Sequence, residues 1–184
     1  LDLKLGWKLA IENTGTDYSH SATITASALS AALLSNVHIR GTGGRPNLVW
    51  TSNTIGISGL SIVYIENLNF LNTSATKTLA SALSFDGDDG LAQHNVIRDV
   101  LFDGWNVAIA DDGSPLTVYN VEAKNGASFG LGPNSATMAA VLIGNYSHNN
   151  AGTGFGSDGG GCGRCTYLYN ISANNTTSIG HGFG

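Results

Sequence analysis

Apolar and polar residues alternate in short runs along this chain, and each run turns on an Asn or Asp. "LLSNVHIRG" at Asn36, "YIENLNFLN" at Asn67, "VIRDVLFDG" at Asp99, "TVYNVEAKNG" at Asn120, "LIGNYSHNN" at Asn145 and "YLYNISANN" at Asn170 share one pattern. An apolar residue follows each anchor. A second Asn column forms at Asn72, Asn125, Asn150 and Asn175. Successive anchors lie 31, 32, 21, 25 and 25 residues apart. Period-two alternation predicts strands, and its recurrence about every 25 residues predicts a stack of coils. Helical repeats are disfavoured, because β-branched residues, Gly and Asn replace the good helix formers. The leucine spacing of a leucine-rich repeat is absent.

Three strands fit each coil. One enters the Asn turn (Val63–Ile65, Val141–Ile143), one leaves it (Leu68–Phe70, Val121–Ala123), and a third begins near Phe85, Ala108, Phe129, Phe155 and Phe183. The expected fold is all-β: a right-handed parallel β-helix of about six coils. Its hand follows from the right-handed preference of parallel crossovers. Asn36, Asn67, Asn120, Asn145 and Asn170 are expected to point inward, each amide bonded to those above and below. Such a ladder makes stable what a lone buried amide would not. Asn also tolerates the left-handed backbone of a sharp corner. Residues 1–184 read as one β-helix domain, with 1–34 an irregular capping region. The pattern stops as "GHGFG" opens a new coil, so the chain is expected to be a fragment of a longer solenoid. Failing that, its last coil, with Phe183 on Phe155, packs against another chain or copy.

Composition narrows the function classes. Charged residues are 11% of the chain, where about 25% is usual. A net charge of −5 argues against a nucleic-acid partner, which selects basic clusters. No apolar run reaches the roughly 18 residues of a membrane span. Gly, Asn, Ser and Thr fill the polar positions, as suits an extracellular solenoid.

"LLSNVHIRGTGG" (33–44) followed by "GLSIVYIENLNFLN" (59–72) resembles the opening coils of the superfamily of pectate lyases, polygalacturonases and phage tailspikes. The resemblance covers roughly residues 30–184. It implies an extracellular protein that binds, and in part of the superfamily cleaves, a polysaccharide. Polygalacturonases place one Asp on a coil and an Asp pair on the next, a pattern similar to 86–89 and 111–112. Their Gly-His-Gly should follow closely, yet Gly180-His181-Gly182 lies some 70 residues beyond Asp112. Their Arg-x-Lys is absent, and the Arg or Lys base of pectate lyases has few candidates, since only Lys124 and Arg164 follow Arg98.

The residues themselves offer one acidic column. "FDGDDG" (85–90) and "IADDGS" (109–114) align with Asp88 beside Asp111 and Asp89 beside Asp112, and "FGSDGG" adds Asp158. Stacked carboxylates repel, so three readings stand open. Asp88, Asp89, Asp111 and Asp112 are a catalytic acid and base set about 5–9.5 Å apart. Alternatively Asp88 and Asp111 hold Ca²⁺, the one cofactor in view. Otherwise these are solvated Asp-Gly turns. Trp105, with Asp86 and Asp158, is the candidate sugar-binding set. Among the scattered histidines, His148 aligns with Phe70, Phe102 and Ala123 and is expected to stack in the wall. Cys162 and Cys165 form "CGRC" with no second CxxC for zinc, so a local disulfide is expected. Sequons at Asn72, Asn145, Asn170 and Asn175 arise at chance frequency, and those on the ladder should be inaccessible. Two functions follow: a β-helix that recognises a polysaccharide, with or without cleaving it, or a non-catalytic structural solenoid such as a spike, fibre, adhesin or filament subunit.

Overall fold

The computed structural model describes residues 8–25, 37–60, 63–78, 80–85, 94–111, 115–131, 139–156 and 164–176. Asn36, Asp86, Asp88, Asp89, Asp112, Asp158, Cys162, His181 and Phe183 lie outside them. The described residues are all-β and contain no helix. Among them, seventeen strands form two sheets. Seven build one path: β1 (Lys8–Glu12), β4 (Val37–Thr42), β7 (Val63–Asn72), β9 (Asn95–Asp103), β11 (Leu116–Tyr119), β14 (Ala140–Ile143) and β16 (Cys165–Leu168). The same sheet extends around a corner through β2 (Tyr18–His20) and β5 (Asn47–Trp50), then β12 (Glu122–Lys124), β15 (Tyr146–His148) and β17 (Ile171–Ala173). A second sheet runs β13 (Phe129–Leu131), β10 (Val107–Asp111), β8 (Ser81–Phe85), β6 (Ile57–Leu60), β3 (Ile24–Thr25).

Every pairing is parallel. On the seven-strand path, register neighbours run Lys8, His38, Tyr64, Val96, Thr117, Val141, Thr166, so the chain returns to this path after 21 to 32 residues. Parallel neighbours need a crossover; here other strands supply it, as β5 and β6 do between β4 and β7. The large sheet does not close into a barrel. The stretch expected to be irregular, 1–34, contributes β1, β2 and β3, each in register with the next repeat. "KLAIE" alternates well enough for a strand, but it lacks the Asn anchor on which the repeat was aligned.

Because neighbours in register share a face, the core is a set of columns. Ile39, Ile65, Ile97, Val118 and Leu142 stack in one and are all buried. The branched side chains suit this pleated, filled surface. A second column changes character along the molecule: Leu48, Phe70, Phe102, then Ala123 and Ser147. The early repeats are filled by aromatics, with Trp50 stacked on Phe70 at 5.9 Å and edge-on to Trp105 at 5.3 Å. The later repeats are thinner. A Cβ on Gly130 would stand 2.0 Å from Ser147 Oγ and 2.7 Å from the Gly154 carbonyl, so only Gly lets these walls approach.

The Asn anchors fall into two columns, not one. Asn67, Asp99, Asn120, Gly144 and Tyr169 occupy equivalent corner positions, all left-handed, with φ of 55°, 54°, 50°, 64° and 55°. The next residue turns inward: Leu68, Val100 and Val121 in the early repeats, then Asn145 and Asn170. Asn145 is 1% exposed, and its Nδ2 donates to Asn170 Oδ1 at 2.9 Å and to the Val118 carbonyl at 3.1 Å. Its Oδ1 accepts from the Val121 N–H at 2.9 Å, and Asn170 Oδ1 accepts from the Asn145 N–H at 2.9 Å. Asn150 and Asn175 repeat this arrangement above Gly126. The inward ladder is thus present at 145–170 and 150–175. Asn120 corrects the expectation: it is exposed, with its amide on Asp99 Oδ1 at 2.6 Å. Asn67 is half-buried and caps the Gly41 and Gly44 carbonyls. The left-handed residue breaks the alternation of the strand: Glu66 and Asn67 are both half-buried, and Leu68 turns inward.

Candidate functional site

Of the acidic column only Asp111 lies among the described residues. Asp111 ends β10 in register with Phe85, an offset of 26 residues where the alignment with Asp88 assumed 23. Trp105 stands in the core: it is 2% exposed, its Nε1 donates to the Phe70 carbonyl at 3.0 Å, and its ring meets Trp50. A buried indole with its N–H satisfied offers no face to a sugar, which corrects its expected place on a groove wall. Cys165 is disulfide-bonded, and Cys162 is the only other cysteine in the sequence. Among the described residues no group of three His, Cys, Asp or Glu side chains is placed to hold a metal.

The outer surface of one corner carries the unusual chemistry. Tyr119, Tyr146, Leu168, Tyr169 and Ile171 are the large hydrophobic side chains left exposed among the described residues. All five lie on three successive repeats. Register places Tyr119 beside Ile143 and Ile143 beside Leu168, immediately before the corner. Past the corner, Tyr146 stands between Glu122 and Ile171. Tyr169 occupies the corner itself, and its neighbour there is Gly144, above which a Cβ would meet nothing within 4 Å. Gly144 thus leaves open space beside the Tyr169 corner.

Tyr169 is the outlier. Other corners use Asn, Asp or Gly, which adopt the left-handed region readily. A tyrosine there costs roughly 1–2 kcal/mol in backbone strain, and its ring is 88% exposed. Exposure of that degree returns little packing energy. Strain held at an exposed residue points to function.

Polar groups flank the aromatic strip. Glu122 Oε1 meets His148 Nε2 at 3.0 Å and Lys124 Nζ at 3.4 Å, and Lys124 also reaches Asp103 Oδ2 at 3.8 Å. His148 Nδ1 is hydrogen-bonded to Asn149 Nδ2 at 2.9 Å, and its ring stacks on Tyr146 at 4.1 Å. Burial alone would raise the Glu122 carboxyl. The His148 hydrogen bond and the Lys124 charge outweigh it and hold that carboxyl below its ordinary range. His148 is therefore not the wall residue of the sequence alignment: it pairs with Lys124 on the outer face, while Ser147 takes the inner column.

A second charged cluster crosses β4, β7 and β9 on the outer face. Glu66 Oε1 meets His38 Nε2 at 3.0 Å, and Glu66 Oε2 accepts from Arg98 Nε at 2.8 Å and Nη2 at 2.5 Å. Arg98 lies over the Tyr64 ring at 5.3 Å. Burial opposes ionisation of Glu66, but the Arg98 and His38 hydrogen bonds prevail and lower its pKa. A general acid needs a raised carboxyl. Glu66 and Glu122 are held ionised, so both clusters fix side chains in place and neither is tuned to deliver a proton.

The sequence reading missed the tyrosine corner. Its signal was Tyr169 standing where four other repeats place Asn, Asp or Gly. No protein-family model, curated protein or solved structure matches the chain.

Proposed function

We propose that this protein is an extracellular parallel β-helix of about six right-handed coils that recognises a carbohydrate along the corner of Tyr119, Tyr146 and Tyr169. The single observation that carries the reading is Tyr169, left-handed at φ 55° and 88% exposed. Sugar rings present apolar faces and hydroxyl edges. Tyrosine rings stack on the first, while tyrosine hydroxyls, Glu122, His148 and Asn149 meet the second. Strands about 4.8 Å apart repeat this surface at a spacing close to one pyranose unit. The disulfide at Cys165 suits an oxidising exterior. Parallel pairing in consecutive register, with no helix among the described residues, supports the β-helix reading.

Glu66 and Glu122, whose carboxyls are held below their ordinary range by their hydrogen-bond and ion-pair partners, favour recognition over cleavage. The alternative is a non-catalytic structural solenoid, in which the same apolar corner contacts a further copy. A panel of neutral and acidic polysaccharides run in affinity electrophoresis separates the two. Retardation of the wild type by at least one polysaccharide, lost in Tyr169→Asn with the fold intact, supports recognition. Absence of retardation across the panel, together with concentration-dependent self-association lost in the same variant, supports the structural role. Reducing-end release in parallel reports any cleavage.

A further inference from the structure

We infer a second, independent site on the outer face of β1 and β4 that binds a compact oxyanion between Lys8 and Arg40. The chain is acidic, with a net charge of −5 and only eight Lys and Arg residues. Yet Lys8, His38, Arg40 and Arg98 all lie on the outer face of β1, β4 and β9, within four neighbouring strands of one sheet. Register sets Lys8 beside His38 and Ala10 beside Arg40. The short side chain of Ala10 leaves a gap between these longer ones. A cavity of about 360 Å³ opens there, lined by Lys8, Leu9, Ala10, His38 and Arg40.

The cations in this cavity are not neutralised. Arg40 is in register with Glu66, the obvious partner. Both Glu66 oxygens are already committed, Oε1 to His38 and Oε2 twice to Arg98. Neither Lys8 nor Arg40 has an ion-pair or side-chain hydrogen-bond partner among the described residues, and both are exposed. The Arg98–Glu66 pair thus acts as a latch that keeps a carboxylate away from Arg40. Lys8 offers a point charge and Arg40 a planar fork of donors, a pairing suited to sulfate, phosphate or carboxylate. Such a group could be a free inorganic ion or a substituent on a saccharide. The site shares no residue with the tyrosine corner and does not depend on it.

The test is ³¹P NMR titration of the full chain with inorganic phosphate, at ionic strength held constant with chloride, and a parallel titration with a sulfated oligosaccharide. Saturable binding of either probe, weakened at least about tenfold in Lys8→Ala/Arg40→Ala, supports the site, since both lost donors are charged. The tighter of the two probes identifies the source of the oxyanion. Lys77→Ala should bind as the wild type does. Arg98→Ala removes no lining residue but frees Glu66 to reach Arg40, so it should also weaken binding. Because Lys8 and Arg40 are exposed, circular dichroism should show the double variant folded. Failure of both probes to saturate overturns the proposal, as does equal weakening by Lys77→Ala.

Discussion

Replacing Asn145 by Ala tests the two-column corner most sharply. The side chain makes three hydrogen bonds in a site where Asn145 is 1% exposed: Oδ1 accepts from Val121 N–H, and Nδ2 donates to the Val118 carbonyl and to Asn170 Oδ1. Asn170 Oδ1 keeps the Asn145 N–H after truncation. The Val121 N–H loses its acceptor in a position that is 2% exposed. A buried donor left unpaired costs about 1–3 kcal/mol. For a chain of this size, each kcal/mol moves Tm by about 2–4 °C. Urea unfolding followed by circular dichroism reads the loss as a lower midpoint at unchanged slope. The matched variant is Asn120→Gly, at the exposed left-handed position that the sequence alignment treated as equivalent. It removes one bond to Asp99 and introduces the residue best suited to φ 50°, so its cost should stay within about 0.5 kcal/mol. Equal costs for the two variants would refute the distinction between inner and outer columns.

Other consequences are as concrete. Tyr169→Asn should hold or raise Tm, by relieving up to about 1–2 kcal/mol of strain, while weakening carbohydrate binding; a scan and a binding curve on one sample check both. Gly130→Ala should abolish folding or cost several kcal/mol, roughly the scale of severe overpacking, because Ser147 Oγ and the Gly154 carbonyl occupy the Cβ position; soluble yield and urea midpoint report it. Glu122 titrates lower folded than unfolded, so the stability it lends is complete above about pH 4.5 and disappears as pH falls below that through the folded value. Glu122→Gln should flatten the urea midpoint between pH 5 and 3 relative to wild type, and an unchanged profile would count against the His148–Lys124 network.

The strand content and the repeat were legible because alternation and Val/Ile enrichment are local signals. The corner was not read correctly, for a reason visible in two strings. "YNVEAKNG" and "YNISANN" look alike, yet Tyr119 is in register with Leu168, so Asn120 corresponds to Tyr169 and not to Asn170. One residue of slip flips every side chain to the other face. That single slip put Asn120 inside, and it aligned His148 with Phe102 when Ser147 belongs there. The Asn149-Asn150 and Asn174-Asn175 doublets held the correction, since each supplies one left-handed residue and one inward amide. Trp105 was misread because an indole next to an acidic turn has no local mark of burial; Phe70 and Trp50, which enclose it, are 35 and 55 positions earlier in the chain. Of the Asp set, Asp86, Asp88, Asp89, Asp112 and Asp158 lie outside the described residues, and strand register fixes an offset for Asp111 alone.

Carbohydrate binding at the tyrosine corner, as proposed, is read by titrating with a binding oligosaccharide and following the assigned ring protons of the six tyrosines. Tyr119, Tyr146 and Tyr169 should shift along one saturating curve while Tyr18, Tyr64 and Tyr167 stay in place. Saturable binding that leaves the Tyr169 ring unmoved would contradict it.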